Sequence, residues 1–335
     1  MRSAQSPGAP ARAVLLAMAC GVALSLSAAP VSAQSYATRP ITIIVAFPAG
    51  GPTDIVTRLL APVMGAELGQ QVVVENVGGA AGTVGVARAA RAAADGHTLL
   101  LHNISHATAP ALYKSLSYDP IADFEPIGLL ADVPQTLVSK SGLAPKNTAD
   151  LVAYLKANAG KVNMANAGRG SGSWLCGLLL TSAIGAPLTQ VAYRGTGPAL
   201  NDLVGGQVDV MCDQITNTIG QIRGGKIQPY CVTTKSRSVA LPDVPACAEA
   251  GLPGFEASVW HGLYAPKGTP PAALEQINKA LKTALADKTV IQRLADLGTA
   301  PAPDADVSSA ALRAHLAAQV AKWEKTLAES NVVKE

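Results

Sequence analysis

The chain has few charged and few aromatic residues. Of its 335 residues, 15% are charged and 4% are aromatic, whereas 49% are hydrophobic. An average globular protein is about 25% charged, and disordered chains combine high charge with few apolar residues, so this composition excludes a disordered protein. The formal charge is +3 and no block of Lys or Arg is present, which argues against nucleic acid as a partner. The length suffices for two domains.

Beyond its N-terminus, the sequence has no run of 18 uncharged apolar residues, the minimum that suggests a membrane span. The long apolar stretch Val14–Leu26 follows Arg2 and Arg12 and precedes small residues that end at Ala33. This order predicts a secretion signal at residues 1–33, cleaved after Ala33, and favours it over an uncleaved anchor. We therefore expect an exported protein, and the loss of two Arg lowers its formal charge to +1.

Cysteine is also scarce. Cys20 lies in the predicted signal, which leaves Cys176, Cys212, Cys231 and Cys247, and no two of them form a C-x-x-C pair that would indicate zinc. An oxidising compartment permits up to two disulfides among four cysteines, in three possible pairings. We favour Cys176–Cys212, because both residues lie in the same half of the chain beside a glycine-rich loop. Buried free thiols are an equally good alternative.

Several enzyme motifs are missing. Ser171 does not lie in a G-x-S-x-G motif, Gly225-Lys226 is not followed by Ser or Thr as in a phosphate loop, and Gly78–Gly82 lacks the spacing of a dinucleotide site. His102 and His106 are four residues apart, but the Glu of H-E-x-x-H is absent between them. We therefore expect no metal, no cofactor and no catalysis, and place both histidines in a polar loop at a strand end.

Segments typical of strands and helices alternate along the chain. The β-branched run Ile41–Phe47 predicts a strand buried on both faces. Apolar residues at helical spacing up to Leu68 predict a helix that Thr53 or Asp54 caps and Gly69 ends. This alternation predicts an α/β protein with parallel strands. Further strands and helices are predicted within residues 71–101 and 151–233, followed by a strand at 257–265 and helices at 272–287, 290–297 and 307–330.

Two units combine a strand, a glycine-rich loop and a helix, around residues 41–68 and 162–184. Glycines let backbone N–H groups approach a ligand, and a helix N-terminus carries about half a positive charge. Such a unit binds an anion without Lys or Arg. One loop of this kind is more often an ordinary turn, but two loops in separate halves of the chain favour an anion-binding site.

The segment Ile41–Asp54 resembles the Bug family, the extracytoplasmic solute-binding receptors of tripartite tricarboxylate transporters. The resemblance covers almost the whole chain after the predicted signal. Its further segments are Glu75-Asn76, Gly78–Gly82, Ala94–Leu99, Val191–Gly195, Gly205–Asp209, Cys212-Asp213, Leu241–Pro245 and Trp260–Pro270.

This resemblance implies a periplasmic-binding-protein type II fold, a "Venus flytrap" of two α/β lobes with a central ligand cleft and two crossovers. Lobe 1 would comprise residues 36–137 and 238–335, and lobe 2 residues 138–237. The implied function is a monomeric receptor that captures a small carboxylate or dicarboxylate and delivers it to the permease subunits in the membrane. The alternatives are a sensor that docks on a signalling partner and, less favoured, a secreted enzyme that modifies carboxylates.

The resemblance also implies a set of ligand-binding residues, which come from both lobes. Asp213 would pair with an ammonium group or cap the next helix, and Arg194 would touch the ligand or brace its loop. Arg169 stands where relatives are expected to carry a small or polar residue, and it would form a bidentate contact to a carboxylate. The full set is Phe47, Pro48, Ala49, Gly50, Gly51, Thr53, Asp54, His102, Ser105, Ala167, Arg169, Gly170, Ser171, Gly172, Ser173, Tyr193, Arg194, Gly195, Thr196 and Asp213.

Overall fold

The structure, a computed structural model, describes residues 36–335 together with Met1 and Ser3. The predicted cleavage point after Ala33, the apolar stretch before it and Cys20 lie outside the described residues. Among the helices of the described part, none combines the length and the hydropathy that a membrane span requires.

Strands and α-helices alternate over residues 41–232, as the sequence predicts for an α/β protein, and one further strand and three helices follow. The strands are β1 (Ile41–Val45), β2 (Val72–Asn76), β3 (Thr98–Asn103), β4 (Phe124–Lys140), β5 (Asn163–Asn166), β6 (Thr189–Ala192), β7 (Val210–Gln214), β8 (Ile227–Val232) and β9 (Ser258–Pro266). The helices are α1 (Pro52–Leu68), α2 (Thr83–Ala90), α3 (Ser105–Leu112), α4 (Thr148–Ala157), α5 (Gly172–Ile184), α6 (Thr196–Val204), α7 (Ile215–Arg223), α8 (Pro271–Ala286), α9 (Lys288–Asp296) and α10 (Ser309–Glu329).

The strands follow the order β2-β1-β3-β9-β4-β7-β5-β6, with β8 also paired to β4. Strands β1, β2 and β3 are parallel, as are β5, β6 and β7, whereas β9 is antiparallel to both β3 and β4. The first part of β4, Phe124–Pro134, pairs with β9, and its last part, Gln135–Lys140, pairs with β7 and β8. A single long strand therefore connects the two groups of parallel strands.

Each group of strands has its own apolar core. One core surrounds β1, β3 and α10, with buried Ile44, Leu100 and Trp323. The other surrounds the last part of β4 with β5, β7 and α5, and it contains Met164 and Val210.

Two disulfides lie in this second core. Cys176–Cys212, the pairing that the sequence favours, joins α5 to β7, and Cys231–Cys247 joins β8 to a following turn. All four cysteine side chains are fully buried.

The start of α1 differs from its prediction. The N-cap is Gly51, and Pro52 is the first helical residue. The prediction that Thr53 or Asp54 caps this helix is therefore wrong. Proline suits this position because its fixed φ is helical and the N–H that it lacks would have no acceptor within the helix. The predicted C-cap is confirmed, since Gly69 adopts the left-handed conformation with φ 67°.

Three elements lie where no strand or helix is predicted: β4, α3 and α7, of which α7 lies between the strands predicted at 208–211 and 227–233. The predicted polar loop around His102 and His106 is wrong, because His102 belongs to β3 and His106 to α3. Pro110 within α3 obscures the helical pattern, and the prolines of β4 obscure that strand.

Candidate functional site

Four helices begin around one small cavity. The N-caps of α1, α5, α6 and α7 are Gly51, Ser171, Gly195 and Gln214, and all four residues line it. The cavity measures about 20 Å³, which is close to the space that one water molecule requires. Its lining residues are Phe47, Pro48, Gly51, Pro52, Thr53, Asn103, Ala167, Ser171, Gly172, Ser173, Gly195, Thr196, Gly197, Asp213 and Gln214.

The charge around this cavity comes from the backbone. Among the lining residues of the described chain, none is Lys or Arg, and Asp213 is the one with an ionisable side chain. The first backbone N–H groups of each helix have no acceptor within that helix, and the helix dipole adds a partial positive charge there. Four such termini at one cavity form a site suited to an anion.

A buried carboxylate holds the first loop in place. Asp54 is 3% exposed, and it accepts hydrogen bonds from the Gly50 N–H at 2.8 Å, from Arg58 Nε at 3.0 Å and from Asn76 Nδ2 at 3.0 Å. The same Asn76 amide donates to the Phe47 carbonyl at 3.0 Å. Burial alone would raise the pKa of Asp54, but the hydrogen bonds from Arg58, Gly50 and Asn76 outweigh burial and keep that pKa below its ordinary value. Asp54 does not line the cavity and instead positions the loop that does.

Hydroxyl groups hold the second loop. Ser171 Oγ donates to the Gly168 carbonyl at 2.6 Å and accepts the Trp174 N–H at 3.2 Å. Ser173 Oγ accepts the Ala167 N–H at 2.9 Å. The serine side chains therefore fix the loop geometry, which leaves the backbone of the first turn of α5 directed at the cavity.

Asp213 lies at the end of β7 and is 1% exposed. Burial raises the pKa of Asp213 to about 7. Hydrogen bonds from Asn217, the Gln214 N–H and the Thr196 hydroxyl lower this pKa, but burial outweighs them. The Asn217 amide donates to Asp213 Oδ2 at 2.6 Å. The carboxyl group thus joins the starts of α6 and α7, and near neutral pH it holds a proton part of the time.

The histidines lie behind the cavity in a buried group. His102 is fully buried, with its ring 5.5 Å from Phe47 and 5.4 Å from His106. Burial lowers the pKa of His102 well below its ordinary value, that of His106 to about 3 and that of His261 to about 4, so all three rings are neutral. His261 Nε2 lies 3.3 Å from Thr53 Oγ1 and thereby supports a residue of the lining. No group of three or more candidate metal ligands occurs among the described residues.

The structure brings together most of the residues that the resemblance implies. Four lining residues are absent from that set, and two of them directly follow members of it: Gly197 after Thr196 and Gln214 after Asp213. Asn103 ends β3 directly after His102, and Pro52 opens α1. Residues of the implied set that do not line the cavity are Ala49, Gly50, Asp54, His102, Ser105, Arg169, Gly170, Tyr193 and Arg194.

The two arginines of that set, Arg169 and Arg194, lie outside the lining of the cavity. The Arg169 guanidinium contacts the Val333 carbonyl and Glu335, with 3.3 Å to Glu335 Oε1. Arg194 is exposed, and the neighbouring Tyr193 hydroxyl donates to Asp202 at 2.7 Å.

Comparisons with known proteins agree on one family. Residues 56–332 match the family described as tripartite tricarboxylate transporter family receptor. A UPF0065 protein in the TAR-I ttuE-ttuC′ intergenic region of Agrobacterium vitis is 49% identical over 89% of this chain and 86% of its own length.

Two solved structures are also similar. The periplasmic binding protein BugD shares 45% identity and a TM-score of 0.86, over 89% of this chain and 99% of its own. MatC from Rhodopseudomonas palustris with bound malate shares 40% identity and a TM-score of 0.83, over 87% of this chain and 99% of its own. The implied periplasmic-binding-protein fold is thereby confirmed.

Proposed function

Since the chain belongs to the family of tripartite tricarboxylate transporter receptors, we propose that it binds a small carboxylate or dicarboxylate at the cavity between α1, α5 and α6. The family is one of receptors, and a relative with the same fold holds malate. The observation that carries the proposal is the meeting of four helix N-termini at a cavity whose described lining holds no Lys or Arg.

We further propose that residues 36–137 with 238–335 and residues 138–237 act as two lobes. In support, β4 changes partners between Pro134 and Gln135, and the Thr233 N–H and hydroxyl both bond to the Gln135 carbonyl, at 2.9 and 3.0 Å. Both chain crossings between the lobes thus run side by side, as a hinge requires.

Ligand entry in this proposal requires the lobes to separate. A dicarboxylate needs far more room than about 20 Å³. The two sides also touch closely, because a Cβ atom placed on Gly195 would lie 3.0 Å from Cδ and Cγ of Pro48. The described conformation therefore has the two lobes in contact, and the cavity must widen before a dicarboxylate can bind between them.

The wider setting follows from the family. We propose that the chain is exported by its N-terminal signal, acts in the periplasm as a monomer and presents its closed form to the permease subunits of a tripartite transporter. We also propose binding without turnover, which agrees with the engagement of the Ser171 and Ser173 hydroxyls by the loop itself.

A thermal-shift screen of ligand-stripped protein against carboxylic acids of two to eight carbons tests this function. Several dicarboxylates are expected to raise the unfolding temperature in a concentration-dependent way, since a ligand that binds only the folded state stabilises it. Incubated ligand should be recovered unchanged by mass spectrometry. A screen without any shift would contradict the receptor function, and a new product would favour an enzyme.

A further inference from the structure

The residues after α10 return to the edge of the proposed cleft. We call residues 331–335 the C-terminal segment. Its Glu335 N–H donates to the Leu112 carbonyl at 2.9 Å, and the Glu335 carbonyl accepts the Lys114 N–H at 2.7 Å. Two backbone hydrogen bonds therefore fasten this segment to the end of α3, in lobe 1.

Arg169 reaches this segment from lobe 2. Its guanidinium donates to the Val333 carbonyl, lies 3.3 Å from Glu335 Oε1 and lies 5.6 Å from the centre of the Trp174 ring. The Arg169 side chain is 27% exposed. A charged group that combines an ion pair, a carbonyl acceptor and an aromatic ring in partial burial is held more strongly than a simple surface ion pair.

The backbone on either side of Arg169 also touches lobe 1. The Gly170 carbonyl accepts a hydrogen bond from Thr108 Oγ1 of α3 at 3.2 Å. Leu112 lies so close that a Cβ atom on Gly170 would come within 2.6 Å of its Cδ1 atom. Residues 169 and 170, α3 and the C-terminal segment thus meet at one place, and opening the cleft there would break all of these contacts together.

We propose that Arg169 and the C-terminal segment form a latch that holds the two lobes closed and slows release of the ligand. Arg169 is then a positioning residue, which acts on the closed conformation and does not touch the ligand. The inference rests on the lobe closure of the proposed function. It has a specific consequence: weakening the latch accelerates the release of every ligand by the same factor, because no ligand atom takes part.

The test measures dissociation rates of L-malate and adipate by stopped flow. Arg169→Gln should release both ligands about three to ten times faster than the wild type, and Glu335→Gln about two to five times faster. Combining the two substitutions should add little to Arg169→Gln alone, since both remove one interaction. Glu329→Gln is the matched control: it removes the same charge near the end of α10, where Glu329 pairs with Lys325, and should leave the rates unchanged.

Two results would overturn the latch. One is an increase in the dissociation rate of Arg169→Gln that differs greatly between malate and adipate, which would indicate direct contact with the ligand. The other is an unchanged rate for both ligands in Arg169→Gln with an unchanged unfolding temperature.

Small-angle scattering of the ligand-free proteins separates this inference from the proposed function. Arg169→Gln should have a larger radius of gyration than the wild type, even if neither probe binds. Equal radii would contradict the latch, whereas failure of the wild type to bind any carboxylate would contradict only the function.

Discussion

Among single residues, Asp54 shows how a buried charge can position a binding loop without lining the cavity. Its carboxylate fixes the Gly50 N–H, Arg58 and Asn76 at once, and Asn76 in turn holds the Phe47 carbonyl. The first loop therefore has one rigid shape before a ligand arrives, so binding loses little entropy in ordering it.

Replacing Asp54 should weaken ligand binding without removing a ligand contact. We expect Asp54→Ala to lower carboxylate affinity about tenfold or more and the free energy of unfolding by about 1–3 kcal/mol, because three donors lose their acceptor. Calorimetry and urea unfolding measure the two effects. Asp95→Asn, which breaks the exposed pair with Arg39 in the same lobe, should leave affinity within twofold. Equal affinities of Asp54→Ala and the wild type would contradict this role.

Asp213 should make stability depend on pH in an unusual direction. Burial raises its pKa to about 7 in the folded protein, from an ordinary value of 3.8. Between these values the folded chain binds more protons than the unfolded chain, so its contribution to stability falls as pH rises, by about 1.4 kcal/mol per pH unit. In urea unfolding, the wild type should lose stability relative to Asp213→Asn from pH 5 to pH 7. A difference independent of pH would show that the carboxyl ionises normally.

At the scale of elements, the fit between the starts of α1 and α6 controls closure. Gly195 adopts an extended φ of 173°, which alanine also tolerates, but a Cβ atom there would press against Pro48 from the opposite lobe. Gly197 lies two residues further on, and a Cβ atom added to it would meet no other atom within 4 Å, so the two glycines form a matched pair.

Gly195→Ala should therefore oppose closure and leave the lobes themselves intact. We expect about five- to fiftyfold weaker carboxylate binding, with an unfolding temperature of the ligand-free protein within about 2 °C of the wild type. Calorimetry and thermal unfolding measure these quantities. Gly197→Ala should change binding much less. Similar losses in both variants would indicate a general effect on α6 instead of a clash between lobes.

The sequence predicted the elements whose patterns depend on local burial. The buried run of β1, the glycine that ends α1 and both glycine-rich loops follow from short stretches of sequence. It did not reveal β4, whose prolines interrupt the pattern and whose partners β7, β8 and β9 lie far along the chain. Likewise, the surroundings of Arg169 depend on residues more than 160 positions away, which no local pattern reports.

For the molecule as a whole, both disulfides lie in the core that surrounds the last part of β4 with β5, β7 and α5. Cys176–Cys212 and Cys231–Cys247 close separations of 36 and 16 residues there. Crosslinks of this kind restrict the unfolded chain and typically contribute about 2–4 kcal/mol each.

Removing a disulfide should consequently lower stability. We expect Cys176→Ala with Cys212→Ala to reduce the free energy of unfolding by about 2–5 kcal/mol, measured by urea unfolding under oxidising conditions. Mass spectrometry of the unreduced wild type should find all four cysteines of residues 36–335 resistant to alkylation. Four alkylated thiols, or a stability equal to that of the wild type, would contradict the role of these bonds.

A crystal structure of the protein with L-malate would show whether helix N-termini or charged side chains hold the anion. We expect carboxylate oxygens about 2.7–3.2 Å from backbone N–H groups at the starts of α1 and of α5 or α6, with Arg169 still bound to the C-terminal segment. A carboxylate held by Arg169 or Arg194, or a ligand outside this cavity, would contradict anion binding by helix N-termini.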